Sequence, residues 1–174
     1  MIIKEVEIFD VNLGWVDGSS FWNLGLIRIK TDEGISGLGE VGLAYGTGNT
    51  AAIGMLKNLA EQFLIGIDPF RVEYIWNKMF RDTFWGQGGG PVIYGGMSAI
   101  DEALLDIKGK ALNVPVYDLI GGKCFDTLRV YANGWYNKCI HPEQYAEAAL
   151  KVVGEGYDAL KFDPFGIDLD GVWR

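Results

Sequence analysis

Lys161 and Asp163 are the two residues whose types and spacing most directly suggest chemistry. They flank Phe162 at the end of a stretch, 158–162, that reads as an extended strand, and alternation sends residues two apart to the same face. A lysine so placed at a barrel mouth gives a fixed positive charge to a substrate carboxylate. The two could equally form a surface ion pair, which contributes little. His141 is the one histidine of the chain, so a Ser-His-Asp or Cys-His mechanism must use it. Its place beside Pro142, where the chain enters an amphipathic segment, favours a loop or capping role. Cys124 and Cys139 are too few and too far apart for a thiolate metal site or a disulfide framework.

Two glycine patterns also invite a chemical reading. Gly37-Leu-Gly39-Glu-Val-Gly42 has the spacing of a dinucleotide fingerprint, which needs a strand before it and a helix opening directly on it. Here it lies inside the returning arm of a hairpin, so glycines of a twisted antiparallel strand explain it better. The run from Gly86 to Pro91 precedes a helix N-terminus, where free N–H groups attract anions. It lacks the Gly-Lys-Ser/Thr ending of a phosphate loop, so a close helix entry is the simpler reading. Met55, Met79 and Met97 fall in helical stretches and read as core fillers.

The elements that must position these residues fall into two blocks. Residues 2–9 alternate as a half-buried strand, 24–31 alternate again, and Asp32-Glu33-Gly34 turns the chain into a return over 35–43. This is an antiparallel meander of about three strands, interrupted by glycine-rich loops at 14–20 and 45–50. Thr50 is a candidate N-cap for a helix to about Leu64, and Asp68-Pro69 for one with Val72, Ile75, Trp76 and Met79 inside. After Pro91, the residues Ile100, Leu104, Ile107 and Ala111 form the stripe of a longer helix that ends at Asn113-Val114-Pro115. Past Gly122 the pattern becomes strand (127–133), helix (143–154), strand (158–162), a βαβ unit that implies a parallel sheet. A domain boundary is expected near residue 123. Lys161 and Asp163 then sit at the carboxyl end of the second parallel strand, where α/β barrels place their active sites. A parallel sheet left with both edges open implies a chain cut short.

Composition excludes several classes of partner. With 15 basic and 23 acidic residues and no basic stripe, the chain is a poor nucleic-acid binder. No apolar run can span a bilayer, and the opening Met1-Ile-Ile-Lys-Glu-Val-Glu is no signal peptide. Two cysteines point to a reducing cytoplasm.

Residues 97–122 carry a resemblance. Ala99, Asp101, Ala103, Asp106, Lys108, Lys110, Pro115, Leu119 and Gly121-Gly122 resemble the signature helix of the mandelate racemase and muconate-lactonizing branch of the enolase superfamily. The resemblance implies an α+β capping domain over residues 1–122, then the first strand-helix-strand of a TIM (β/α)8 barrel over 123–174. It implies two substrate-selecting loops, near 12–22 and 43–50, in which Trp15, Phe21, Trp22 and Tyr45 are candidate substrate contacts or ordinary loop packing. Residues 133–136, with Asn133 and Trp135 as candidate substrate contacts, would line the barrel mouth. The family's second barrel strand ends in Lys-x-Lys, whereas here Lys161 is followed by Asp163. Loss of the second lysine speaks against a two-base racemase. It suits the acid-sugar dehydratases that take their base, a histidine, from a later strand. Lys161 would then stabilise the enediolate and Asp163 would shape the site. The resemblance further implies Mg2+ with ligands beyond Arg174 and none in this chain, a small-molecule carboxylate substrate and a homo-oligomer. A racemase or cycloisomerase remains an alternative at this point, as do a non-catalytic interaction module and, more remotely, a nucleotide-dependent oxidoreductase.

Overall fold

The computed structural model describes residues 1–16, 20–43, 49–84 and 86–163, and of residues 15, 16 and 20–22 the backbone alone. The chain divides into two compact units, Met1–Lys123 and Cys124–Arg174.

The first unit opens with a three-stranded antiparallel meander, β1 (Ile3–Val16), β2 (Ser20–Thr31) and β3 (Ser36–Val41), with β2 in the middle. Burial along β2 alternates strictly: Asn23, Gly25, Ile27, Ile29 and Thr31 are covered, and the residues between them are not. That alternation fixes the register, because a one-residue slip would turn Ile27 and Ile29 to solvent. On the open face Glu7 lies across from Arg28, accepting from Arg28 Nε at 2.5 Å and from Lys30 Nζ at 2.7 Å.

Of the loop expected over 14–20, residues 14–16 and 20 are paired strand, while 17–19, like 45–48 of the second expected loop, lie outside the described residues. Pairing runs on through Gly14↔Trp22, Trp15↔Phe21 and Val16↔Ser20. The glycine there serves a bulge: the register shifts between Asn12 and Gly14, Gly14 adopts a φ of 67°, and its N–H donates to Asn12 Oδ1 at 2.7 Å. Only glycine takes that left-handed conformation cheaply, so the strand turns a corner and continues.

Helices α1 (Asn49–Phe63), α2 (Val72–Asp82), α3 (Pro91–Leu112) and the short α4 (Val116–Leu119) complete this unit. The decisive contact is between β3 and α3. A Cβ on Gly37 would stand 2.0 Å from the Ala103 carbonyl oxygen, and one on Gly39 1.9 Å from that of Ala99. Neither backbone oxygen can move aside without unwinding the helix. The strand therefore lies flat on α3 because it has no side chains there. Gly42, the third glycine of the apparent fingerprint, meets nothing within 4 Å, so that motif is two packing glycines and a bystander. On β3's free edge, Leu38 N–H donates to Asp106 Oδ2 at 2.9 Å and Glu40 N–H to Glu102 Oε2 at 3.0 Å. Lys110 Nζ donates to the Ser36 carbonyl at 2.8 Å and to Asp106 at 2.7 Å. Side chains of α3 thus stand in for the fourth strand that an exposed edge invites.

Two helix starts differ from expectation. Helix α1 begins at Asn49, one residue before Thr50, because the buried Asn49 carboxamide is held by the body of the fold. Its Nδ2 donates to the Asn23 carbonyl, and its Oδ1 accepts from Leu43 N–H at 3.3 Å. Asp68-Pro69 does not open α2. Asp68 Oδ1 accepts from Phe70 N–H at 2.9 Å, an Asx turn that delays the helix to Val72. Ile75 and Met79 still face inward as expected, and Ile100, Leu104 and Ile107 of α3 are fully covered. Asn113 closes α3 in the left-handed conformation, with a φ of 53°.

In the second unit α5 (Pro142–Gly154) forms as expected. The strands expected at 127–133 and 158–162 reduce to one parallel bridge, Ala132↔Leu160. Parallel strands persist when both faces are covered, whereas Leu128 and Val130 here remain 79% and 63% exposed. No described helix is long and apolar enough to cross a membrane.

The β3–α3 contact is testable by chemical unfolding. Gly39→Ala is expected to lower stability by about 3 kcal/mol, as an overpacked core contact does, while Gly42→Ala changes it by less than about 1 kcal/mol. Asp106→Ala, which removes a polar edge partner, should cost about 1 kcal/mol. Equal urea midpoints for the two glycine variants would sink the packing explanation.

Candidate functional site

The Ala132↔Leu160 bridge is what assembles the site in the second unit. Ala132 N–H donates to the Ala159 carbonyl and Lys161 N–H to the Ala132 carbonyl, both at 2.9 Å. Two chain ends therefore leave the bridge side by side. Gly134, with a φ of 77°, then curls residues 134–139 into turns, with Cys139 N–H donating to the Tyr136 carbonyl at 2.8 Å. The curl brings Trp135 and Tyr136 against 161–163. Trp135 Nε1 donates to the Lys161 carbonyl at 3.0 Å. The Tyr136 hydroxyl donates to Asp163 Oδ2 at 2.8 Å, and Lys161 Nζ stands 3.4 Å from the same oxygen.

An aromatic cluster fixes this geometry. Trp135 meets Tyr136 nearly edge-on at 5.5 Å between centroids, and Phe162 packs against Trp135 at 5.7 Å and Tyr136 at 6.4 Å. Tyr145 of α5 stacks on Tyr136 at 6.4 Å with planes 19° apart. Such pairs lie in the distance range where edge-on and offset aromatic contacts are favourable. The Tyr136 ring is held on several sides while its hydroxyl reaches the open rim.

Electrostatics follow from these contacts. The Tyr136 hydrogen bond, assisted by the Lys161 charge, holds the Asp163 carboxyl below its ordinary value. Tyr136 moves the other way: partial burial and donation to a carboxylate raise its phenol above the usual range. At neutral pH the site therefore presents a cation, a carboxylate and a phenol O–H. Such a group can bind an anion and accept from a hydroxyl. As a magnesium centre it does not fit: among the described residues no three His, Cys, Asp or Glu side chains stand together. Asp163 is a single carboxylate, with an ammonium already beside it.

The expected site residues separate by unit. Lys161, Asp163 and Trp135 come together in the second unit, joined by hydrogen bonds. Asn133 follows the bridge there as an exposed residue. Trp15, Phe21 and Trp22 belong to the first unit, on paired β1–β2 backbone rather than in a loop. Tyr45 lies outside the described residues. His141 is the N-cap residue of α5, where Gln144 Oε1 accepts from His141 N–H at 3.0 Å and Ile140 N–H at 2.7 Å. Tyr136 falls in the segment expected at the mouth, yet nothing in its residue type singled it out. The available signal was Gly134, whose turn decides which side chain swings back to Asp163.

Residues 17–121 match the family described as mandelate racemase / muconate lactonizing enzyme, N-terminal domain. D-gluconate dehydratase of Thermoproteus tenax is 37% identical over 147 residues, 84% of this chain and 29% of that protein. D-xylonate dehydratase of Haloferax volcanii is 38% identical over 164 residues, 92% of this chain and 37% of that protein. The crystal structure of a member of the enolase superfamily from Salmonella Typhimurium superposes with a TM-score of 0.85 at 48% identity. That superposition covers 99% of this chain and 44% of the other. The chain therefore spans less than half the length of each of these relatives. Matched to that family over more than half its length, the chain belongs to the mandelate racemase and muconate lactonizing enzyme family of the enolase superfamily, whose N-terminal domain it carries at residues 17–121.

Proposed function

We propose that the full-length protein dehydrates a sugar acid to a 2-keto-3-deoxy acid. The observation that carries this reading is Lys161 beside an ionised Asp163, in a chain whose relatives are D-gluconate and D-xylonate dehydratases. A proton alpha to a carboxylate is very weakly acidic, so its removal requires the enediolate oxygens to be held by positive charge or strong donors. Lys161 is suited to that task. Loss of the beta hydroxyl from the enediolate then gives an enol, which tautomerises to the keto acid. Asp163 is suited to accepting from a substrate hydroxyl, and Trp135 and Asn133 to bounding the substrate. Asp163 in place of a second lysine argues against a two-base racemase.

In the same proposal, residues 1–122 are the family's capping domain, Trp15, Phe21, Trp22 and Tyr45 serve substrate selection, and residues 123–174 begin a TIM barrel. A homo-oligomer in the cytoplasm belongs to it as well, in keeping with the two free thiols Cys124 and Cys139. Magnesium would bind the carboxylate oxygens as a Lewis acid. The described residues offer it no ligand set, and the roles given to Lys161 and Asp163 do not depend on it.

The reading is tested by incubating the full-length protein with D-gluconate, D-xylonate and D-galactonate, with Mg2+ present, and assaying for 2-keto-3-deoxy acid. Product from at least one acid is expected, and Lys161→Met should lower kcat/KM by about a hundredfold or more. An unchanged panel would refute the reading. The pH dependence has a defined sign. Because the Asp163 carboxyl is depressed in the folded protein, its contribution is complete above the ordinary carboxylate value and is lost as pH falls through the lowered one. The Asp163 contribution should therefore stay flat from about pH 7 to about pH 5. A decline there that Asp163→Asn abolishes would contradict this assignment.

A further inference from the structure

The distribution of donors around Asp163 is uneven. The Tyr136 hydroxyl at 2.8 Å and the Lys161 ammonium at 3.4 Å both address Oδ2. Oδ1 accepts no hydrogen bond from the described residues, and the side chain is 64% exposed. A carboxylate has about four lone-pair positions and no donor of its own. Its outer oxygen is therefore a ready acceptor for a group that brings a proton, and in a polyhydroxy acid that group is a hydroxyl. Left to itself, an exposed aspartate samples several rotamers, and each lost rotamer counts against the complex. Tyr136 removes that freedom: its ring is held by Trp135, Phe162 and Tyr145, and its shorter hydrogen bond sets the carboxylate plane.

We propose that Tyr136 is the positioning residue of this site, holding one oxygen of Asp163 so that the other selects substrates carrying a hydroxyl within reach of the Lys161-bound carboxylate. This rests on the sugar-acid reading above and adds what discriminates within that class. Selection of this kind is modest, because water can satisfy the exposed oxygen when an analogue lacks the hydroxyl, so only the net worth of a charge-assisted hydrogen bond is lost. It works through Asp163 and not through direct contact of Tyr136 with the acid, so the two residues act as one unit.

Two measurements on the full-length protein test it. First, the Asp163 carboxyl carbon is followed by NMR through an acid titration: in Tyr136→Phe its midpoint moves to higher pH, since the first cause of its depression is gone. Second, affinities for D-gluconate and for deoxy-D-gluconates each lacking one hydroxyl are compared by calorimetry. Wild type is expected to favour D-gluconate over one of these analogues by about tenfold, the worth of a hydrogen bond to a charged group. In Tyr136→Phe that preference collapses while the analogue's own affinity stays within about twofold, because no bond it makes is touched. Asp163→Asn reaches the same loss without altering the aromatic cluster, and the double variant is no worse than either single one. A preference that survives in Tyr136→Phe, or an Asp163 midpoint that does not move, overturns the proposal. Absence of any sugar-acid binding or turnover by wild type, with the midpoint shift present, overturns the sugar-acid reading and the hydroxyl assignment together, while the tyrosine–aspartate linkage is confirmed by the shift itself.

Discussion

Everything in the first unit is arranged around one close approach, the backbone of β3 against the backbone of α3. Gly37 and Gly39 leave no room for a Cβ, and Ala99 and Ala103 opposite them are wholly buried. At that distance the helix cannot be replaced by a looser one, and the strand cannot slip by a residue without driving Leu38 or Glu40 into a carbonyl. Register then propagates outward. Once β3 is set, β2 follows through Ile29↔Gly37 and Ile27↔Gly39, and β1 follows β2. The same approach lets α3 offer Glu102, Asp106 and Lys110 to the free edge of β3. These bonds are half exposed and individually modest. Their larger effect is to deny the edge to another chain.

The signature residues of α3 take on a physical meaning in this light. Ala99 and Ala103 are small because the strand lies on them, and Asp106 and Lys110 are charged because the strand edge needs an acceptor and a donor. Lys108 stands over the Phe70 ring at 5.7 Å. Asp101 is half-buried, and burial, with Glu73 and Glu102 adding, pushes its carboxyl up. Gly121 and Gly122 both adopt positive φ where the chain leaves α4. All of these contacts lie within the first unit. They describe how the domain is built, which is why they identify a family more sharply than a reaction.

Legibility in the sequence followed periodicity. The meander, the stripe of α3 and helix α5 were readable because burial repeats at two or near three and a half residues. What escaped was decided by contacts far apart in sequence. Asn49 takes the start of α1 from Thr50 because its carboxamide is held by Asn23, 26 residues earlier, as well as by the nearby Leu43. The extension of β1 and β2 through Gly14 escaped because a bulge glycine and a loop glycine look alike in one dimension. The two expected parallel strands meet at the Ala132↔Leu160 bridge alone: alternation at 127–133 records which faces a strand would cover, while longer pairing requires neighbours that supply that cover.

The same limit explains the site. Lys161 and Asp163 could be placed on one side of a strand by counting, and the structure puts them 3.4 Å apart. Counting could not choose between an inert surface pair and a working one, because that depends on a third group. Tyr136 is the third group, 27 residues earlier, and it arrives only because Gly134 turns the chain back after the bridge at Ala132. A lysine and an aspartate alone on a surface would gain little from each other. A phenol locked among aromatic rings changes the balance, since it orders the carboxylate without neutralising it and leaves one oxygen facing outward. The geometry of the proposed site thus depends on a turn glycine as much as on the charged residues themselves.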